Sequence, residues 1–154
     1  MKLYLARHGH AVSSSVAPQR PLSDQGRADI RKVAASLEPL QISVEHIWHS
    51  GKLRARQTAE FLSEAVHSAN APQARTGLSP NDSTQDLAIE LEAYNADLMI
   101  VSHLPFVGIL ASLLTTGRQT TNPFDFTAGS IACLTRKNPT RWQIEWFISP
   151  DSAP

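Results

Sequence analysis

The stretch LYLARHGHA, residues 3–11, decides how the rest of the chain is read. Its first four residues are apolar without alternation, the pattern of a parallel strand inside a sheet with helices on both faces. Arg7, His8, Gly9 and His10 follow at once, so a cation, two imidazoles and a glycine stand at the carboxyl end of that strand. In open α/β sheets this edge is where ligands bind. One segment therefore bears on both the fold and the site.

Working outward from a central strand over residues 2–6, short apolar strands alternate with amphipathic helices. After a polar loop (residues 12–23), Ser23 caps a predicted helix over 24–37 whose inner face is Ile30, Val33, Ala34 and Leu37, with Pro39 beyond its end. A strand over 44–50 precedes a helix over 52–67 with Ala55, Ala59, Leu62 and Val66 inward. A weak strand at 73–76, a helix at 84–93 and a strongly apolar strand at 97–103 come next. The helix at 105–116 has Pro105 in its first turn and Val107, Leu110 and Leu114 inward. A polar loop over 117–129 holds Phe124 and Phe126, and residues 130–137 and 141–149 form a closing hairpin around Asn138-Pro139. This alternation predicts an α/β sandwich with a mostly parallel sheet, and 154 residues suffice for a single domain, 1–154.

Lys and Arg balance Asp and Glu at 14 each, so no global field draws nucleic acid or an anionic membrane, and anion binding has to be local. Cys133 is the sole cysteine, which excludes an internal disulfide; in the apolar run SIACL it reads as a buried thiol rather than a nucleophile. No signal core and no run of 18 apolar residues is present, so the expected location is the cytoplasm.

Unusual polar residues gather at three predicted strand ends: Arg7-His8-Gly9-His10, His49-Ser50-Gly51 ahead of a helix bearing Arg54 and Arg56, and Ser102-His103. Taken singly, a strand-end histidine is usually structural and a first-turn arginine usually solvated. Together, on one edge, they predict a local cationic pocket, and phosphate is its natural occupant because guanidiniums match its oxygens bidentately. Arg54 and Arg56 stand about 200° apart around a helix, so only one of them faces the pocket. Gly9 would leave room for a ligand against the backbone. A metal site is the competing chemistry. His46 and His49 point to opposite faces of a strand and no HExxH motif exists, so no metal or cofactor is expected. Neither a G-x-S-x-G motif nor a complete P-loop occurs.

RHG at residues 7–9, SGKLRARQTA at 50–59 and VSHLP at 101–105, in that order, resemble the histidine phosphatase superfamily; RPLSDQG at 20–26 and SHLPFVG at 102–108 narrow the likeness to SixA-like phosphohistidine phosphatases. The resemblance implies a three-layer α/β/α, phosphoglycerate-mutase-like fold without a large inserted cap. It makes His8 the nucleophile and places Arg7, Arg54 and His103 around the phosphate. Arg20 becomes an accessory ligand, and His103 is expected to be protonated. The activity implied is a metal-independent phosphatase with a phosphohistidine intermediate, acting on phosphohistidine carried by a protein in signal transduction. The alternatives are small phosphate monoesters or sugar phosphates as substrates, and a non-catalytic phosphate-binding module. Two departures stand out. His10 replaces a residue that is often acidic or polar in such relatives, and no insertion supplies a general acid, Asp82 being the nearest carboxylate.

Overall fold

The computed structural model describes residues 1–120 and 125–154. Four strands run parallel: β1 (Lys2–Arg7), β3 (His46–His49), β5 (Gln73–Ala74) and β6 (Leu98–Ser102). The antiparallel pair β7 (Ile131–Asn138) and β8 (Arg141–Ile148) completes a sheet in the order β5-β3-β6-β1-β7-β8. β1 is interior, as its continuous apolar run predicts. A small parallel ribbon of β2 (Ser43–Val44) and β4 (His67–Ser68) lies apart from this sheet.

The two faces of β1 explain why it does not alternate in polarity. Tyr4 and Ala6 face a core shared with Ile30, Val33 and Leu37 of α1 (Asp24–Leu37) and Ala55, Ala59 and Leu62 of α2 (Leu53–Ser63). Leu3 and Leu5 face the opposite core, built on Leu87 and Leu91 of α3 (Thr84–Glu92) and Phe106, Val107 and Leu110 of α4 (Phe106–Thr116). Helices on both faces of one sheet make the three-layer sandwich.

Element boundaries depart from the sequence reading where long-range pairing intervenes. The 44–50 segment splits, because Val44 pairs with Ser68 while β3 begins only at His46. The helix predicted to reach 67 stops at Ser63, since His67 donates its backbone N–H to the Ile42 carbonyl; Val66 is still buried. Pro105 sits one residue before α4, not in its first turn. Phe126 is fully buried, so the 117–129 loop is anchored by an apolar side chain; Phe124 lies outside the described residues.

The start of α1 locks the loop that follows β1. Ser23 Oγ accepts the Gly26 N–H at 3.0 Å, the predicted cap. A Cβ on Gly26 would lie 2.0 Å from the His10 carbonyl oxygen, a clash that only backbone movement can relieve. Gly26→Ala is therefore expected to lower stability by about 2–3 kcal/mol, the cost of overpacking a tight contact, read by denaturant unfolding. A loss under about 0.5 kcal/mol would show that α1 and this loop separate freely.

Candidate active site

Strand register builds the site. Arg7 pairs with Ser102 across β1 and β6, so the next residues, His8 and His103, leave the sheet side by side with ring centroids 4.8 Å apart. The His8 backbone is held from two directions, its N–H donating to the Ser102 carbonyl and its carbonyl accepting from Gly129, each at 3.0 Å. His8 Nδ1 lies 2.7 Å from the Gly9 carbonyl. A carbonyl only accepts, so Nδ1 carries the proton and Nε2 keeps its lone pair.

α2 brings the second guanidinium, and its neighbours fix the helix to the RHG loop. The Gly9 N–H donates to Thr58 Oγ1 at 3.0 Å, and that hydroxyl donates to the Arg54 carbonyl at 2.8 Å. Gln57 Oε1 accepts the Leu22 N–H at 2.8 Å. Arg7 donates from Nη1 to the Phe126 carbonyl at 2.8 Å. The Nε atoms of both Arg7 and Arg54 are buried and without a hydrogen-bond partner among the described residues. None of the ion pairs among the described residues involves Arg7, Arg20 or Arg54. Burial lowers the pKa of both Arg7 and Arg54, and the Arg20 charge lowers that of Arg54 further. Asp125 opposes the shift at Arg7 through space without pairing with it, so the fork donors of these guanidiniums suit an oxyanion.

Arg20 joins this field from the loop before α1. Its Nε donates to the Val12 carbonyl at 3.1 Å, and its φ of 52° is a left-handed conformation sparsely used by residues with a side chain. Arg56 points away, pairing with Glu60 one turn on at 3.5 Å on the exposed face. The angular argument admitted only one of the two arginines to the pocket and the resemblance picked Arg54; the structure turns Arg56 to Glu60.

Three expectations are corrected. Gly9 does not leave room for a ligand: a Cβ there would meet Ile30 Cγ1 at 2.9 Å and Leu22 Cδ2 at 3.2 Å, so its bare Cα serves packing against α1. His49, counted among the strand-end polar residues, accepts the Gly51 N–H at 3.1 Å and holds the turn, while its neighbour Ser50 reaches the site. The protonation expected of His103 is opposed by its surroundings. Burial first, then His8, Arg54, Lys52 and Arg20, push its pKa down to about 3. His10 is exposed, with Nδ1 2.7 Å from Ser23 Oγ. It belongs to the start of α1.

Ser50, Gln57 and Thr58 belong to the segments quoted from sequence, which gave them no role of their own. The signal for Thr58 and Gln57 is their place inside the RARQT segment, which a reading centred on charge passes over. Ser50 Oγ lies 2.7 Å from His103 Nε2. A cavity of about 600 Å³ adjoins the cluster at Ser50 and runs past Gly77 and Asp82 to the first turns of α3. Asp82 accepts the Ser79 N–H at 2.9 Å. Among the described residues no three His, Cys, Asp or Glu side chains come together as metal ligands, and no helix is long and apolar enough to cross a membrane.

His8 is likewise pushed down, to about 4, by burial ahead of the Arg54, Arg7 and Arg20 charges and against its bond to Gly9. Both rings thus stay neutral in the folded protein at pH values where an unfolded histidine, near 6.5, takes a proton. Between about pH 6.5 and 4 the unfolded chain binds more protons, so stability is expected to fall as pH is lowered through that window. Chemical unfolding at stepped pH, with His8→Asn and His103→Asn showing a shallower fall, checks this; a stability independent of pH there would overturn it.

A family model of the histidine phosphatase superfamily (branch 1) matches residues 3–79. The chain is 28% identical to the phosphohistidine phosphatase SixA of Escherichia coli (strain K12) over 97% of this chain and 94% of that protein. It is 35% identical to an uncharacterized protein of Picosynechococcus over 77% of this chain and 75% of that protein. The structure of the protein histidine phosphatase SixA complexed with tungstate superposes with a TM-score of 0.86 at 28% identity, covering 98% of each chain.

Proposed function

Since this chain belongs to the histidine phosphatase superfamily, we propose that it hydrolyses phosphohistidine carried on a protein, through a phosphorylated His8 and without a metal. The observation that carries the reading is an Nε2 lone pair on His8 in the field of Arg54, Arg7 and Arg20, none of which forms an ion pair among the described residues. In the proposed reaction His8 Nε2 attacks phosphorus and the bond to the substrate's imidazole nitrogen breaks, that nitrogen taking up a proton as it leaves. Arg7 and Arg54, with Arg20 adding to the field, hold the phosphoryl oxygens as charge redistributes. Water then attacks phospho-His8, giving inorganic phosphate and returning the ring to its neutral form.

Two features support a phosphohistidine substrate over an ester. An alkoxide leaving group needs a strong general acid, and Asp82, the candidate offered by the sequence, has Oδ2 accepting the Ser79 N–H; an imidazole leaving group protonates readily. A cavity beside the cluster, which meets it at Ser50, also offers room for the flanking backbone of a protein substrate. The reading is tested with a radiolabelled phosphotransfer domain phosphorylated on histidine, set against a panel of small esters and sugar phosphates in the presence of chelator. Faster phosphate release from the protein substrate is expected. Preference for an ester would reassign the substrate, and stoichiometric binding without turnover would make the protein a binding module.

A further inference from the structure

We propose that Ser50 is a positioning residue that sets the tautomer of His103, leaving the Nδ1–H of that ring free to donate to a phosphoryl oxygen. The inference rests on the phosphatase reading and adds to it the atom through which His103 acts. Ser50 Oγ already accepts the Lys52 N–H at 3.3 Å, and the competing Gly51 N–H is taken by His49. Among the described residues His103 Nε2, at 2.7 Å, is the one acceptor bonded to that hydroxyl, so the arrangement in which Ser50 donates is the one that leaves no O–H proton unused. With Nε2 accepting, the proton of a neutral ring sits on Nδ1. That nitrogen is buried and has no partner among the described residues, in a residue only 2% exposed.

The opposite tautomer would use its only N–H on Ser50 and turn a lone pair to the anion. A doubly protonated ring is opposed by burial, by the His8 ring and by the Arg54, Lys52 and Arg20 charges. A buried N–H without an acceptor is unfavourable, and an arriving oxyanion relieves it. His103 therefore contributes an oriented dipole rather than a charge. Arg7 and Arg54 supply the charge.

Ring-nitrogen NMR of the unliganded protein reads the tautomer directly. His103 is expected to show a protonated Nδ1 and an unprotonated Nε2, and the reverse assignment would overturn the proposal. Ser50→Ala is expected to mix the tautomers and to lower kcat on the phosphohistidine protein about tenfold, as removal of an orienting partner does, with KM little changed. Ser50→Thr keeps the hydroxyl and should restore both. A Ser50→Ala protein with the original tautomer and full kcat would refute the idea. Failure of the phosphatase reading itself shows separately, in turnover that survives His8→Ala.

Discussion

His8→Ala is expected to eliminate turnover, by on the order of 10⁴- to 10⁶-fold as loss of a nucleophile does, and to eliminate acid-labile labelling of the protein. The expectation is specific to this imidazole because the two rings at the strand ends are not equivalent. The Nδ1 of His8 is committed to the Gly9 carbonyl, so its Nε2 is an unprotonated nitrogen held on a backbone fixed at both ends. His103 has its Nε2 engaged by Ser50 and its Nδ1 buried. His103→Ala should accordingly slow phosphoryl transfer yet still permit label on His8. Because His8 is buried and supports the Gly9 carbonyl, truncation also threatens the fold. His8→Asn fills much of the space without a nucleophilic ring nitrogen, and should be as inactive while unfolding near the wild-type midpoint. Measurable phosphate release from a folded His8→Asn protein would sink the mechanism.

The central strand was legible in sequence because burial on both faces removes the usual alternation. Leu3 and Leu5 pack on one core, and Tyr4 and Ala6 on the other. Ser23 was legible because a cap acts over three residues. The charged residues were legible as strand-end polar clusters, but the choice of Arg54 over Arg56 came from the resemblance of the RARQT segment, since spacing alone left the two open. What escaped was long-range. Ser50 meets His103 only because β3 and β6 are parallel neighbours in register, a contact spanning 53 residues. Thr58 joins two segments 49 residues apart, and the use of Gly9 for packing depends on where α1 crosses it. Periodicity reports which face of an element is inward and cannot report what meets it there. The protonation of His103 went astray because a cationic neighbourhood suggested a charged ring, whereas burial and like charges both favour the neutral one.

Arg54→Ala is expected to remove about 2–4 kcal/mol of transition-state stabilisation, the range for losing one oriented donor at a developing anion. Arg56→Ala, two residues on, should be kinetically silent, because that side chain pairs with Glu60 on the exposed face of α2 and is worth a few tenths of a kcal/mol to the helix at most. Binding of inorganic phosphate or vanadate should follow the same order, weakened in the first variant and unchanged in the second. Arg54→Lys should fall between them, since an ammonium keeps the charge but not the planar fork that grips two oxygens. A silent Arg54→Ala beside a crippled Arg56→Ala would show that the wrong arginine faces the phosphate. Stability supplies an independent check of the opposite sign. Arg54 carries a buried Nε without a partner and lies in the field of Arg20, so in the unliganded protein its charge is opposed by both burial and repulsion. Truncating it should leave the unfolding midpoint unchanged or raise it, even as turnover collapses. Adding phosphate should then raise the wild-type midpoint more than that of the variant, because a ligand stabilises the state that binds it. Function lost with stability kept is the signature of a residue held for its ligand.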